Sequence, residues 1–183
     1  MKNVVLLGDS IRQIGYGTLV PQLLGEEYSV WQPKENCRFA AYTLRLLFDN
    51  RTAIGNADII HWNNGLWDVC DLFGDGPFTD AETYVKNMLR IATILKRSTD
   101  KIIFATTTPV TSEHAFSKNE RIRQYNALLV PELEKMGIVI NDLNALVTPN
   151  IDTFIRKDDN IHLTEEGIRA CAEQVAEYIR SFR

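Results

Sequence analysis

Three short stretches of this 183-residue chain carry groups able to act on a carbonyl. Gly8-Asp9-Ser10 presents a serine hydroxyl directly behind the apolar run Val4–Leu7. Asp158-Asp159-Asn160-Ile161-His162 holds two carboxylates and an imidazole, and Asn63-Asn64-Gly65 offers two side-chain amides. A serine hydroxyl is hardly ionised at neutral pH and needs a base to become a nucleophile. Of the three histidines, His61, His114 and His162, the last has an acid three residues upstream. In a tight loop Asp159 reaches Nδ1 of His162, fixes the tautomer and leaves Nε2 for the serine. Asp158 is a second carboxylate within reach, but the three-residue spacing favours Asp159. Acyl transfer also needs donors for the oxyanion. The N–H of Ser10 is one, and the amides of Asn63 and Asn64 are others.

These groups act together only if the fold gathers them. Short apolar runs at Lys2–Leu7, Tyr28–Trp31, Ala57–Trp62, Lys101–Thr107 and Ile138–Ile140 predict five strands. Ala40–Phe48 is predicted to be helical. A capping box at Thr79–Glu82 opens a helix with Tyr84, Met88, Ile91 and Leu95 on one face. A second box, Ser117–Glu120, opens another with Ile122, Tyr125, Leu129, Leu133 and Met136 in line and Gly137 as C-terminal cap. Pro131 is expected to kink or divide that helix. A last helix starts near Thr164, and its buried stripe includes Ile168, Cys171, Val175 and Ile179. Leu66–Pro77 and Asp142–Asp159 are expected to be irregular. Alternating strands and helices predict an α/β fold, one domain over 1–183, with a parallel sheet covered by helices on both faces. In such sheets ligands bind beyond the carboxyl ends of the strands, where all three stretches fall.

Hydrophobic residues make up 45% of the chain and charged residues 24%, as in ordinary globular proteins. The net charge of −4 leaves no basic footprint for nucleic acid or an anionic membrane. No stretch has the length of a signal-peptide core or a membrane span, so a cytoplasmic location is expected. Three cysteines, an odd number without close spacing, argue against a disulfide framework or a zinc cluster. A flavodoxin-type flavin or phosphate binder at "GDSIRQIGYG" fits neither the P-loop nor the dinucleotide spacing, and Asp9 would face the phosphate. A metal hydrolase built on His61, Asp158, Asp159 and His162 leaves Ser10 without a task. A non-catalytic binding protein leaves the joint presence of Ser10, Asp159 and His162 unexplained.

Gly8-Asp9-Ser10, Asn63-Asn64-Gly65-Leu66 and Asp158–His162 resemble, in order, the serine, asparagine and histidine blocks of the SGNH (GDSL-type) hydrolases. The resemblance implies a three-layer, flavodoxin-like α/β/α sandwich and an esterase or lipase needing no metal or cofactor. It implies Ser10 as nucleophile, His162 as base and Asp159 as the carboxylate orienting it. Asn63 falls on the oxyanion asparagine and Asn64 on the aspartate that usually follows. Two positions depart from the family. His61 stands where a glycine precedes the asparagine, and Ala41, in "ENCRFAAYTL", stands where a glycine supplies an oxyanion N–H. Asp9, Arg38, Trp62, Asn64 and Trp67 are expected to border the substrate, an indole stacking on a sugar ring and the guanidinium binding an anion. The expected substrate is a small-molecule or carbohydrate ester with a short acyl group, such as an O-acetyl sugar. Lysophospholipids and thioesters are the alternatives.

Overall fold

The computed structural model describes residues 1–182. Five parallel strands, β1 (Lys2–Leu7), β2 (Tyr28–Trp31), β3 (Ile59–Asn63), β4 (Ile102–Ala105) and β5 (Val139–Asn141), form one sheet in the order β2-β1-β3-β4-β5. The strands are short and apolar because helices cover both faces, which leaves no polar side to alternate with. On one face pack α2 (Ala40–Asp49), α4 (Ala81–Leu95) and α5 (Asn119–Lys135), with α3 (Arg51–Gly55) following α2. On the other pack α1 (Val20–Leu24) and α8 (Glu165–Ser181), with α6 (Leu143–Val147) and α7 (Ile151–Phe154) against α8. Val4–Leu7, Ile59, Ile60, Ile102 and Ile103 form the middle of a single core. The chain reverses its direction of travel across the sheet between β1 and β3. That switch opens a crevice beyond their carboxyl ends. Among the described residues no helix is long and apolar enough to cross a membrane.

The predicted sheet and its five strands are present; β1 and β2 have the predicted ends, and the ends of the other three are displaced by one or two residues. Several local expectations need correction. Asp80, not Thr79, caps α4, accepting the Thr83 N–H at 2.9 Å. No side chain caps α5: Ser117 is buried, and Asn119 instead clasps both backbone groups of Val110. Pro131 does not divide α5, which runs through it; the buried stripe Ile122, Tyr125, Leu129 and Leu133 holds the helix together across the missing donor. The 142–159 stretch, expected to be irregular, contains α6, a 3₁₀ turn at Thr148–Asn150 and α7. These pieces are shorter than two turns, too short to show periodicity.

One contact fixes the loop ahead of α8. Thr164 caps that helix, accepting the Gly167 N–H at 3.2 Å. Gly167 then lies flat against α7: a Cβ there would overlap the Phe154 carbonyl oxygen and stand 3.0 Å from Phe154 Cβ. Backbone cannot yield as a flexible side chain can, so Gly167→Ala should destabilise the fold by about 1–3 kcal/mol. Urea unfolding of the two proteins measures this; an unchanged midpoint would show that α7 and α8 separate freely.

Candidate active site

β1 is a buried run that stops when Gly8 turns the chain. Ser10 follows, starting a wide π-helical turn over Ile11–Gly15. Gly8 is required by crowding: a Cβ on it would strike the Asn63 amide oxygen and come within 2.9 Å of Asn63 Cγ and 2.8 Å of Arg12 Cβ. Ser10 is half-buried, and its hydroxyl has no hydrogen-bond partner among the described residues. Asp9 beside it is buried and accepts from the Ile11 N–H at 3.0 Å and from Asn63 Nδ2 at 2.8 Å. Burial pushes its pKa up, opposed by those two donors and by the charges of Arg12 and His162.

The loop ahead of α8 is built around Asp159. Its Oδ1 accepts the backbone N–H groups of Ile161 and His162 at 3.1 and 2.9 Å, and its Oδ2 lies 3.0 Å from His162 Nδ1. Burial works to raise this carboxyl, but the two amides and the imidazole outweigh it and hold it at about 2. Asp158 points the other way and pairs with Arg156. The loop is closed by an antiparallel bridge between Ile155 and Leu163, and by Asn160, in the left-handed region at φ 64°, which pairs with Thr111. Leu163 packs 3.5 Å from the position a Cβ on Gly15 would take, so the residue after His162 touches the turn that Ser10 begins. His162 is not hydrogen-bonded to Ser10 here; such bonds are commonly long before substrate binds.

Asn63, at the end of β3, is 4% exposed. One Nδ2 hydrogen goes to Asp9 and its Oδ1 accepts from Tyr16 Oη at 2.6 Å, which leaves the second Nδ2 hydrogen uncommitted. Asn64 differs. It is fully buried, its Oδ1 accepts from Trp62 Nε1 and Thr43 Oγ1, and its Nδ2 donates to the Arg38 carbonyl. Asn64 therefore ties β3 to the loop ahead of α2. Three of the expected substrate contacts are corrected on the same ground. Trp62, Asn64 and Asp9 are sealed in the core, because strand alternation turns Trp62 toward α2 and Phe104, and the two polar groups bond inside the protein. Arg38 and Trp67 are exposed, on the loops ahead of α2 and behind β3.

Ala41 is the second residue of α2, where a helix leaves an N–H without an internal partner. The loop leading to it is strapped to the Ser10 turn. Arg12, buried, donates to the carbonyls of Gly8, Pro33 and Glu35, and the Cys37 N–H donates to Gly8. Arg12, Tyr16 and Asp68 are parts of this site that sequence reasoning missed. Each is a polar residue whose partners lie far along the chain, and no local pattern marks it. His61, a departure from the family pattern, is fully buried on the α8 side of the sheet. Among the described residues no three His, Cys, Asp or Glu side chains converge as a metal ion would require.

In sequence, the chain matches no family model and no curated protein. In structure it is similar to a lipase/acylhydrolase from Enterococcus faecalis at 20% identity, with TM-score 0.83 over 100% of this chain and 97% of the other. An acetyl xylan esterase aligns at 20% identity and TM-score 0.79, over 97% and 99%. A GDSL-like lipase from Bacteroides thetaiotaomicron aligns at 16% identity and TM-score 0.76, over 100% and 89%. The chain shares the fold of these hydrolases. The α/β sandwich anticipated from the strand–helix alternation is thus the observed one.

Asp68 adds a titrating group under the α2 N-terminus. Its two oxygens lie 3.2 and 3.1 Å from the Ala40 nitrogen, and burial pushes its carboxyl up to about 7 from 3.8. The folded protein keeps a proton here that the unfolded chain releases. This contribution to stability is complete below about pH 4 and is lost as pH rises through about 7. Asp68→Asn keeps an acceptor for Ala40 and removes the titration. Between about pH 5 and pH 8 the variant should gain on the wild type by on the order of 2 kcal/mol in urea unfolding. An equal difference at both pH values would contradict a protonated Asp68.

Proposed function

We propose that this chain is a serine esterase of the SGNH (GDSL-type) kind. The observation that carries this reading is the Asp159–His162 pair seated against the turn that begins at Ser10, whose hydroxyl is left free. Ser10 Oγ attacks the ester carbonyl carbon while His162 Nε2 takes its proton. The oxyanion sits among the Ser10 N–H, the second Nδ2 hydrogen of Asn63 and the Ala41 N–H. His162 then returns its proton to the leaving alcohol, and an acyl-serine remains. Water loses a proton to the same imidazole, adds to the acyl carbon, and the acid leaves as Ser10 is reprotonated. Asp159, ionised down to about pH 2, stabilises the imidazolium in both halves.

The substrate read from this site is an ester of a short acyl group, including O-acetyl groups on a carbohydrate. The fold shared with an acetyl xylan esterase supports that choice, as do exposed Trp67, a stacking surface, and exposed Arg38. A second reading, an ester with an apolar alcohol or longer acyl chain, is favoured by Leu72, Phe73 and Phe78, all exposed on the 66–79 loop behind β3. Hydrolysis of p-nitrophenyl acetate, longer p-nitrophenyl esters and an acetylated sugar separates the two. Ser10→Ala should lower turnover by on the order of 10⁴-fold or more with the fold intact, and should abolish covalent labelling by a fluorophosphonate. Near-normal turnover by the variant would remove Ser10 as nucleophile.

A further inference from the structure

The Asn63 amide can serve the oxyanion only in one of its two flipped orientations. Rotated by half a turn it would aim a carbonyl oxygen at the developing negative charge. We infer that Tyr16 and His61 are positioning residues that lock this amide with Nδ2 toward the site, through a chain of hydrogen bonds running in one direction. The inference rests on the esterase reading above.

The direction of each bond follows from the two ends. At the far end, Gln174 on α8 reaches the Asp142 backbone carbonyl at 3.4 Å, and a carbonyl only accepts. The Gln174 group there is therefore Nε2, which also donates to Asn141 Oδ1 at 2.7 Å. That places Asn141 Nδ2 against His61 Nε2, at 3.2 Å, so Nε2 accepts and the imidazole proton is on Nδ1. Nδ1–H faces Tyr16 Oη at 3.5 Å, with the rings edge to face at 5.4 Å. The Tyr16 hydrogen is thus free to go to Asn63 Oδ1, at 2.6 Å, the shortest bond of the series. At the near end Asn63 Nδ2 donates to Asp9, a carboxylate held ready by the Ile11 N–H. Every member donates toward the site, so each polarises the next, and the last hydrogen on Nδ2 is the one left over.

Strand geometry makes the chain possible. His61 and Asn63 are two apart on β3 and share the face toward α8 and the Ser10 turn, while Trp62 between them faces α2. A glycine at position 61 could hold neither Tyr16 nor Asn141. His61 is fully buried, and burial holds its pKa down to about 3, so it stays neutral with one donor and one acceptor wherever the enzyme would work.

The test compares Tyr16→Phe, Asn63→Ala and the double variant on a p-nitrophenyl ester. Tyr16→Phe should lower kcat by about 10- to 100-fold with KM within about threefold, because the lost ordering matters only once the oxyanion forms. Asn63→Ala should lower kcat by about 10²- to 10³-fold, and adding Tyr16→Phe should cost almost nothing more, since Tyr16 acts through Asn63. An unchanged kcat in Tyr16→Phe, or an undiminished further loss in the double variant, would overturn the inference while leaving the Ser10 mechanism standing. A wild type without Ser10-dependent turnover or fluorophosphonate labelling would overturn the esterase reading, and the inference with it. Nitrogen-15 NMR of the imidazoles in the wild type gives a readout independent of activity and of variant folding. His61 should be protonated at Nδ1 and bare at Nε2; the opposite tautomer would overturn the directed chain.

Discussion

The bond from Asn63 to the buried Asp9 carboxylate is the constraint around which the crevice is arranged. It joins the ends of β1 and β3, the two strands between which the chain switches direction. Asp9 is sequestered from water with one oxygen unpartnered, a costly placement unless neighbours supply compensating charge. Arg12, equally buried and finding only carbonyl acceptors, supplies it at longer range. The same guanidinium ties down the 33–37 loop and so sets where α2 starts. The buried Asp9 and Arg12 side chains thereby fix Ser10 on one side and Ala41 on the other.

Polar groups beneath the crevice are arranged at two depths. Asn63, Tyr16, His61 and Asn141 run from the site through the sheet toward α8. Asn64, Trp62 and Thr43 run in the opposite direction, toward α2. Two adjacent asparagines thus serve opposite faces, as the two-residue period of a strand demands. The first keeps one amide hydrogen uncommitted; the second gives its oxygen to the scaffold. Both networks are nearly fully satisfied, which makes the pocket floor stiff rather than adaptable.

The histidine loop follows a different logic. Its order comes from Asp159, which binds two backbone amides and one imidazole at once, and from Leu163, which anchors the following residue against the serine turn. These five residues, Asp159–Leu163, are closed by the Ile155–Leu163 bridge and by the pairing of Asn160 with Thr111. The loop's internal geometry depends little on the sheet, whereas its placement depends on Gly167 lying against α7.

That division separates what the sequence determined from what tertiary structure decided. Hydrophobic runs of strand length alternating with amphipathic helices determined the parallel sheet. The Asp-x-x-His spacing determined the Asp159–His162 pair, because a three-residue loop contact is local. Short helices in 143–154 escaped notice because none is long enough to show periodicity, and the cap expected at Ser117 failed because that residue is buried. Which of Asn63 and Asn64 keeps an uncommitted amide hydrogen, the withdrawal of Trp62 and Asp9 from the crevice, and the bonds made by Arg12, Tyr16 and Asp68 were decided only by the tertiary structure. Each depends on a partner tens of residues away, and on which side of a strand a residue falls. A one-residue change of register reverses that side, and neighbouring residue types do not encode it.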